Sequence, residues 1–526
     1  MAIGIAALLF VINLEVSGLA NRATHIDEYY FSACAARGLD IGEFPVAACH
    51  DNKGPVIYFL YQVIFDLTGL YNYTAVKAVA YTFVFLEVMF FAGTAYRLAG
   101  FVASAITASL LLLCFASDAG NLALKTDLVG GAFTAIALWV LGIHQAFRSY
   151  ARLALSGFMI GIAVVTKQPF AFAGFGVIFW MFLSEPARSF AQARAFFVRS
   201  LVFGVCVLAP FLLFWLAFAF QNASTDYLLS FFLYPAIYGT SRGGGLTGLL
   251  RQVATMLGGL QEHFVLVGMT TAAAIALIFS EQSPAQTSSR VSDPRWLYLI
   301  VLLFLMAALT MTPVWLPSYI IIIAGPMALL SGIVFGDLWD RAWRSSPRTT
   351  FAVLTVLAVG AVISGANTWL SNGKLQQYVI PSRQPPADGN DSRTRYVYEL
   401  GQEPDFYAAG GFIPASSVQF PWALPGTPAR WSYATPRTDT FVGRLLAATQ
   451  ARNLSRLYAD FARTPPSFIL LQDNFVRTAN SPNAVDIPGF QDYLDRNCKF
   501  VRQTEVEFSV SASLYECGDA AKPDKG

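Results

Sequence analysis

The chain has 526 residues, of which 55% are hydrophobic and only 13% charged. A soluble domain carries about 25% charged residues, so this composition excludes a water-soluble protein of this length and points to lipid as the solvent for the excess apolar surface. The net charge of +2 is uninformative, and no basic patch is large enough to argue for nucleic acid as a partner.

A span needs about 20 mostly apolar residues. Read in chain order, the segments that meet this are 2–20, 75–96, 100–117, 127–146, 152–166, 169–184, 200–220, 264–280, 296–312, 318–336 and 350–369. The first lacks the basic leading stretch and small-residue cleavage site of a signal peptide, so it reads as a span. The segments 152–166 and 169–184 are short, joined by Thr166-Lys167-Gln168-Pro169. They read as two spans, with a re-entrant pair as the alternative.

Lys and Arg in short loops set the orientation. Arg97, Arg148 and Arg152, Arg188, Arg194 and Arg199, Arg290 and Arg295, and Arg341, Arg344 and Arg348 fall in one alternate set of loops, which is therefore cytoplasmic. The opposite short loops carry little beyond Lys125 and Lys167. The N-terminus is then expected inside, and the segments 21–74, 221–263 and 370–526 outside. The last is more polar, with a strand-like run Ser467-Phe468-Ile469-Leu470-Leu471 and a helix-like run from Phe441 to Leu457. The expected fold is a polytopic α-helical membrane protein of about eleven spans, with a C-terminal extracytoplasmic α/β domain. Residues 1–369 form the membrane domain and 370–526 the soluble one.

The cysteines fit this topology. Cys34 and Cys49 lie in the first outer loop and Cys498 and Cys517 in the C-terminal domain, whereas Cys114 and Cys206 fall inside spans. Two local disulfides in an oxidising compartment are expected.

The first outer loop concentrates ionisable groups: Thr24-His25-Ile26-Asp27-Glu28-Tyr29-Tyr30, then Gly38, then His50-Asp51-Asn52-Lys53-Gly54-Pro55 and Tyr58. Alone, Asp27 also reads as part of a helix cap. Farther on, Thr126-Asp127 opens the fourth span, and Pro317-Ser318-Tyr319 precedes the tenth. An acidic pair just after the first span, followed by Asn52-Lys53-Gly54-Pro55, Thr126-Asp127, Thr166-Lys167-Gln168-Pro169 and Pro317-Ser318-Tyr319, resembles the GT-C superfamily of membrane glycosyltransferases. The resemblance is nearest to glycosyltransferase family 39, which includes protein O-mannosyltransferases and aminoarabinose transferases of lipid A. It covers roughly residues 1–370 by layout.

The resemblance implies transfer of a sugar from a polyprenyl-phosphate lipid to a glycan, lipid or protein acceptor at the outer membrane face. It places Asp27 as general base, with Glu28 and Asp127 as further acidic groups of the catalytic cleft. The chemistry agrees: an incoming hydroxyl needs a carboxylate to take its proton, and a departing phosphate needs positive charge nearby rather than a proton. Lys53, Lys167 and Arg242 are the candidate phosphate cations, the last in the glycine-rich run Tyr238 to Gly245. For each cation the alternative is snorkelling to lipid headgroups. Asp51, Tyr58 and Tyr319 complete the candidate substrate-binding set, and Tyr238 and Trp315 are candidate stacking residues. The aminoarabinose transferases bind a metal through a Glu where this chain has Asn52. A divalent metal therefore rests on weak candidates, Asp51 and His263, with His25 and His50 as further nitrogen donors. All these carboxylates and cations are expected to converge in one outer cavity. The competing readings are a polyprenyl-lipid flippase, or a non-catalytic scaffold of the cell envelope.

Overall fold

The computed structural model describes residues 25–44, 49, 53–116, 119–142, 149–184, 189–233, 246–279, 293–311, 317–345, 396–400, 407, 411–418, 424, 441–472, 487–506 and 510–518. The chain divides into two compact units. A helical unit takes Val76–Phe214 and Gly245–Tyr378; a loop-and-sheet unit takes His25–Ala75, Trp215–Gly244 and Val379–Gly526. The spans expected at 2–20 and 350–369, and the domain boundary at 369/370, lie outside the described residues.

In the loop-and-sheet unit, α1 (Ile26–Ile41) starts at His25, whose side chain caps it. Asp27 and Glu28 in its first turn suit the positive end of the helix dipole, and Gly42 ends it in the left-handed conformation (φ 69°). Next, α2 (Pro55–Thr68) begins with Pro at its first turn, where a missing N–H costs nothing. The two helices pack against each other, with the Phe31 and Tyr58 rings edge to face at 5.2 Å. Cys34 and Cys49 form a disulfide that ties α1 to the chain leading into α2.

Next, α3 (Tyr73–Ala116), which belongs to the helical unit from Val76 onward, is broken at Ala99 and Gly100. Gly100 has φ 81°, a conformation that side-chain-bearing residues avoid. The break separates the two spans expected at 75–96 and 100–117. There follow α4 (Thr126–Leu141), α5 (Tyr150–Thr166), a 3-10 turn Gln168–Phe170, α6 (Ala171–Ser184), α7 (Phe190–Phe220), α8 (Leu246–Leu260), α9 (Phe264–Phe279), α10 (Pro294–Thr310) and α11 (Ile320–Ser345). Among the described residues, three helices are long and apolar enough to cross a membrane: Tyr73–Phe115, Phe190–Phe220 and Ile320–Ala342. A fourth joins them if the pair Gln252–Leu260 and Phe264–Phe279, bent by 108°, counts as one span. The other apolar helices of this unit, α4, α5, α6 and α10, are shorter, and coincide with expected spans.

Small residues set the helix spacing. Gly157 and Gly161 on α5 lie against the carbonyls of Phe203 and Val207 on α7, and Gly332 and Gly336 on α11 lie against Ala103 and Thr107 on α3. This small-xxx-small pattern lets backbones approach where no hydrophobic driving force separates helix from lipid. Polar side chains bond between helices, as in Thr270 with Ser331 at 3.2 Å.

The C-terminal part builds a five-stranded mixed sheet from β1 (Tyr396–Leu400), β2 (Ile413–Pro414), β3 (Phe468–Gln472), β4 (Cys498–Val506) and β5 (Val510–Cys517), in the order β2-β1-β3-β5-β4. β1 runs parallel to β2 and β3; β5 runs antiparallel to β3 and β4. The helices α12 (Phe441–Arg463) and α13 (Phe490–Asn497) complete it. Leu457 and Phe461 of α12 and Phe490 of α13 pack on Tyr398, Ile469 and Leu471 of the strands. A disulfide joins Cys498 to Cys517 across β4 and β5. The expected strand at 467–471 and helix at 441–457 both form. The sheet is not free-standing: Ala33 of α1 is buried with Val397, Tyr407 and Phe412.

Candidate active site

Asp27 stands at the first turn of α1 with about a quarter of its side chain exposed. The Nδ1 of His25 accepts the Asp27 backbone N–H at 3.1 Å, which fixes the turn on which the carboxylate sits. The Lys53 ammonium lies 3.9 Å from Asp27 Oδ1, and His25 Nδ1 lies 3.7 Å from Oδ2. The sequence distance between Asp27 and Lys53 is closed by the α1–α2 hairpin and by the Cys34–Cys49 disulfide. All three side chains keep between 24% and 28% exposure, so solvent reaches them.

Glu28 is oriented differently. It is fully buried. The Tyr61 hydroxyl is pushed up by its own burial and then by the charge of the Glu28 carboxylate. Tyr58 is likewise fully buried in the α1–α2 packing. Of the acidic pair, Asp27 is thus the member open to solvent.

In the helical unit, Asp127 occupies the first turn of α4 and is 3% exposed. Lys167 caps the end of α5, where the chain turns into the 3-10 segment beginning at Gln168. Their side chains form a buried ion pair. The same ammonium lies 4.2 Å from the centre of the Tyr319 ring, so the aromatic face adds a cation–π contact. Three residues singled out separately in the sequence therefore form one cluster, with the lysine held on two sides.

Arg242, Asp51, Asn52, His50, Tyr238 and Trp315 lie outside the described residues. His263 is described, in a 3-10 turn between α8 and α9. Among the described residues no three His, Cys, Asp or Glu side chains gather as a metal site.

Sequence reasoning passed over several buried charges. Glu87 on α3 is 1% exposed, and neither carboxyl oxygen has a hydrogen-bond partner among the described residues. It rests against Gly131, one turn beyond Asp127 on α4. A lone carboxylate in an apolar span is legible as a signal. Arg37, Asp226 and Asp460 are also buried, and no local motif marks them.

Residues 52–215 match a family model described as dolichyl-phosphate-mannose-protein mannosyltransferase. No curated protein matches the sequence. Among solved structures, the chain is similar to ArnT from Cupriavidus metallidurans bound to undecaprenyl phosphate, with a TM-score of 0.60 and 13% identity over 98% of this chain and 99% of that one. The apo form of that protein gives 0.57 and 13% over 96% and 97%. An oligosaccharyltransferase from Archaeoglobus fulgidus, tethered to an acceptor peptide, gives 0.52 and 12% over 100% of this chain and 74% of that one. The chain therefore shares the fold of the ArnT and oligosaccharyltransferase structures.

Proposed function

We propose that the protein transfers a sugar from a polyprenyl-phosphate donor to an acceptor hydroxyl at the outer face of the inner membrane, by one displacement at the anomeric carbon. The observation that carries this reading is the open Asp27 carboxylate with Lys53 at 3.9 Å. The acceptor oxygen attacks the anomeric carbon, its proton passes to Asp27, and the bond from that carbon to the phosphate oxygen breaks. The polyprenyl phosphate leaves as an anion, stabilised by cations rather than by an acid. Attack opposite the leaving group inverts the anomeric centre. Lys53 is assigned to that phosphate, with Arg242 as a further cation. The Asp127, Lys167 and Tyr319 cluster is assigned to sugar or phosphate binding, and Glu28 to holding α1 against α2. The N-terminus is placed in the cytoplasm and the C-terminal domain outside. The bound undecaprenyl phosphate of the ArnT structure supports a polyprenyl carrier. The acceptor is a glycan, a lipid or a protein.

The test is release of polyprenyl phosphate from a radiolabelled polyprenyl-phosphate sugar by the protein in lipid nanodiscs. Asp27→Asn is expected to lower turnover by about 10²–10⁴-fold, the usual contribution of a general base. Unchanged turnover removes Asp27 from that role. Movement of labelled lipid between the leaflets of a vesicle without cleavage replaces the enzyme reading with a flippase.

A further inference from the structure

The helix that carries Asp27 is gripped at its far end by the C-terminal domain. Arg37 is fully buried, although it sits in a segment, Ala36-Arg37-Gly38, that looks unremarkable. Its guanidinium pairs with Asp460 of α12 at 3.1 Å and donates to the Pro414 carbonyl of β2 at 2.8 Å. The other Asp460 oxygen accepts from the Ser416 hydroxyl and from the Ser417 N–H and hydroxyl at 2.8–2.9 Å, so the anion is itself fixed. Just beyond the helix, Glu43 receives Arg463 at 2.7 Å and Arg456 at 3.6 Å, both from α12. This is a many-sided attachment, not a single surface pair.

A helix transmits such a grip. Arg37 lies ten residues after Asp27, about 15 Å along the axis and about 80° around it. Any roll of α1 that loosens Arg37 swings the carboxylate by the same angle. At about 5.5 Å from the axis, a 10° roll moves a side chain by about 1 Å. A displacement of about 1 Å in a reacting group costs on the order of 10²-fold in rate. We propose that Arg37, clamped by Asp460 and supported by the Glu43 contacts, is a positioning residue: it sets the azimuth of α1, and so makes the C-terminal domain part of the machinery that aims Asp27. This rests on the proposed role of Asp27 as base.

The experiment uses the full chain in nanodiscs, with Arg37→Met, Arg37→Lys and Glu43→Gln variants. The last touches only a partly exposed carboxylate, so it keeps the test open where the buried substitution does not fold. Two readouts are taken: kcat and the KM for a polyprenyl-phosphate sugar, and amide hydrogen exchange over Tyr30–Ala33. Expected for Arg37→Met is a kcat fall of about tenfold or more, with carrier KM within about twofold, part of the loss recovered by Arg37→Lys, and faster exchange over Tyr30–Ala33. Glu43→Gln moves both readouts in the same direction by less. A folded Arg37→Met, or failing that Glu43→Gln, with wild-type kcat and wild-type exchange overturns the proposal. If the wild-type protein turns over no polyprenyl-phosphate sugar, the glycosyltransferase reading fails instead, and exchange over Tyr30–Ala33 still decides whether the grip reaches the start of α1.

Discussion

Replacing Lys167 with Met tests the buried cluster of the helical unit. The ammonium and the Asp127 carboxylate keep only 10% and 4% of their side-chain surfaces exposed, so water cannot take over from the lysine once it is gone. Removing one partner of a buried ion pair costs about 3–5 kcal/mol, because the other charge stays buried and uncompensated. Loss of the contact with Tyr319 adds about 0.5–2 kcal/mol. The backbone N–H of Lys167 bonds to the Ala163 carbonyl at 2.8 Å, and Met preserves that bond, so the loss reports on the side chain. The measurement is unfolding in mixed micelles with increasing denaturing detergent, followed by tryptophan fluorescence. Lys167→Met is expected to unfold at markedly lower detergent fraction, and the double variant Lys167→Met/Asp127→Leu to recover most of the difference, since an apolar pair can replace a buried ion pair at little cost. A single variant within about 1 kcal/mol of wild type, or a double variant worse than the single, refutes the view that the pair is held dry and mutually dependent.

Other outcomes follow from the same physics. Glu87→Gln is expected to be neutral or stabilising in the same unfolding measurement, since it removes a carboxyl with no hydrogen-bond partner among the described residues; strong destabilisation would reveal a partner that holds the charged form. Replacing Cys34 and Cys49 together with Ser releases a loop of 15 residues, for an expected loss of about 3 kcal/mol, read as a lower unfolding midpoint. Burial pushes the Tyr458 and Tyr493 hydroxyls up to about 12 from 10. Because the folded form then binds more protons than the unfolded form between pH 10 and 12, stability is fully present below pH 10 and falls across that window. Circular dichroism melts of the protein should show this, and Tyr458→Phe should reduce the slope.

What the sequence revealed and what it withheld divide along a physical line. The apolar helices of the helical unit were legible from run length, because a bilayer's thickness sets the length of a segment that crosses it. Asp27, Lys53, Asp127 and Lys167 were legible because charges beside long apolar runs are costly unless they serve a purpose. Their partners were not. Lys167 was read as a phosphate ligand and Asp127 as an orienting acid, each by itself, and their pairing was not legible, since the end of α5 meets the start of α4 only in the packed structure. The difference between Asp27 and Glu28 was also hidden. Adjacent residues on a helix point about 100° apart, and which of them faces outward depends on where α2 packs.

The C-terminal domain shows most clearly why local reading stops short. By composition it is a separable soluble domain, and its own core supports that view. Its helix α12 nonetheless directs its charges at the first two segments of the same unit, His25–Ala75 and Trp215–Gly244. Arg452 and Arg456 hold the buried Asp226 of the second loop at 2.7 and 3.1 Å, while Arg456 and Arg463 reach Glu43 of the first. Asp226 buried without these arginines would be an uncompensated anion, a cost of about 3–5 kcal/mol. The loops and the sheet are therefore energetically one body, even though 230 residues separate Asp226 from Arg456 and 420 separate Glu43 from Arg463. A sugar-transfer site built on loops needs such bracing, because loops alone do not hold reacting groups to within the fraction of an ångström that displacement chemistry demands. On this reasoning, cutting the chain after the last span leaves the acidic and basic residues of the first loop in place but without the rigid frame that aims them.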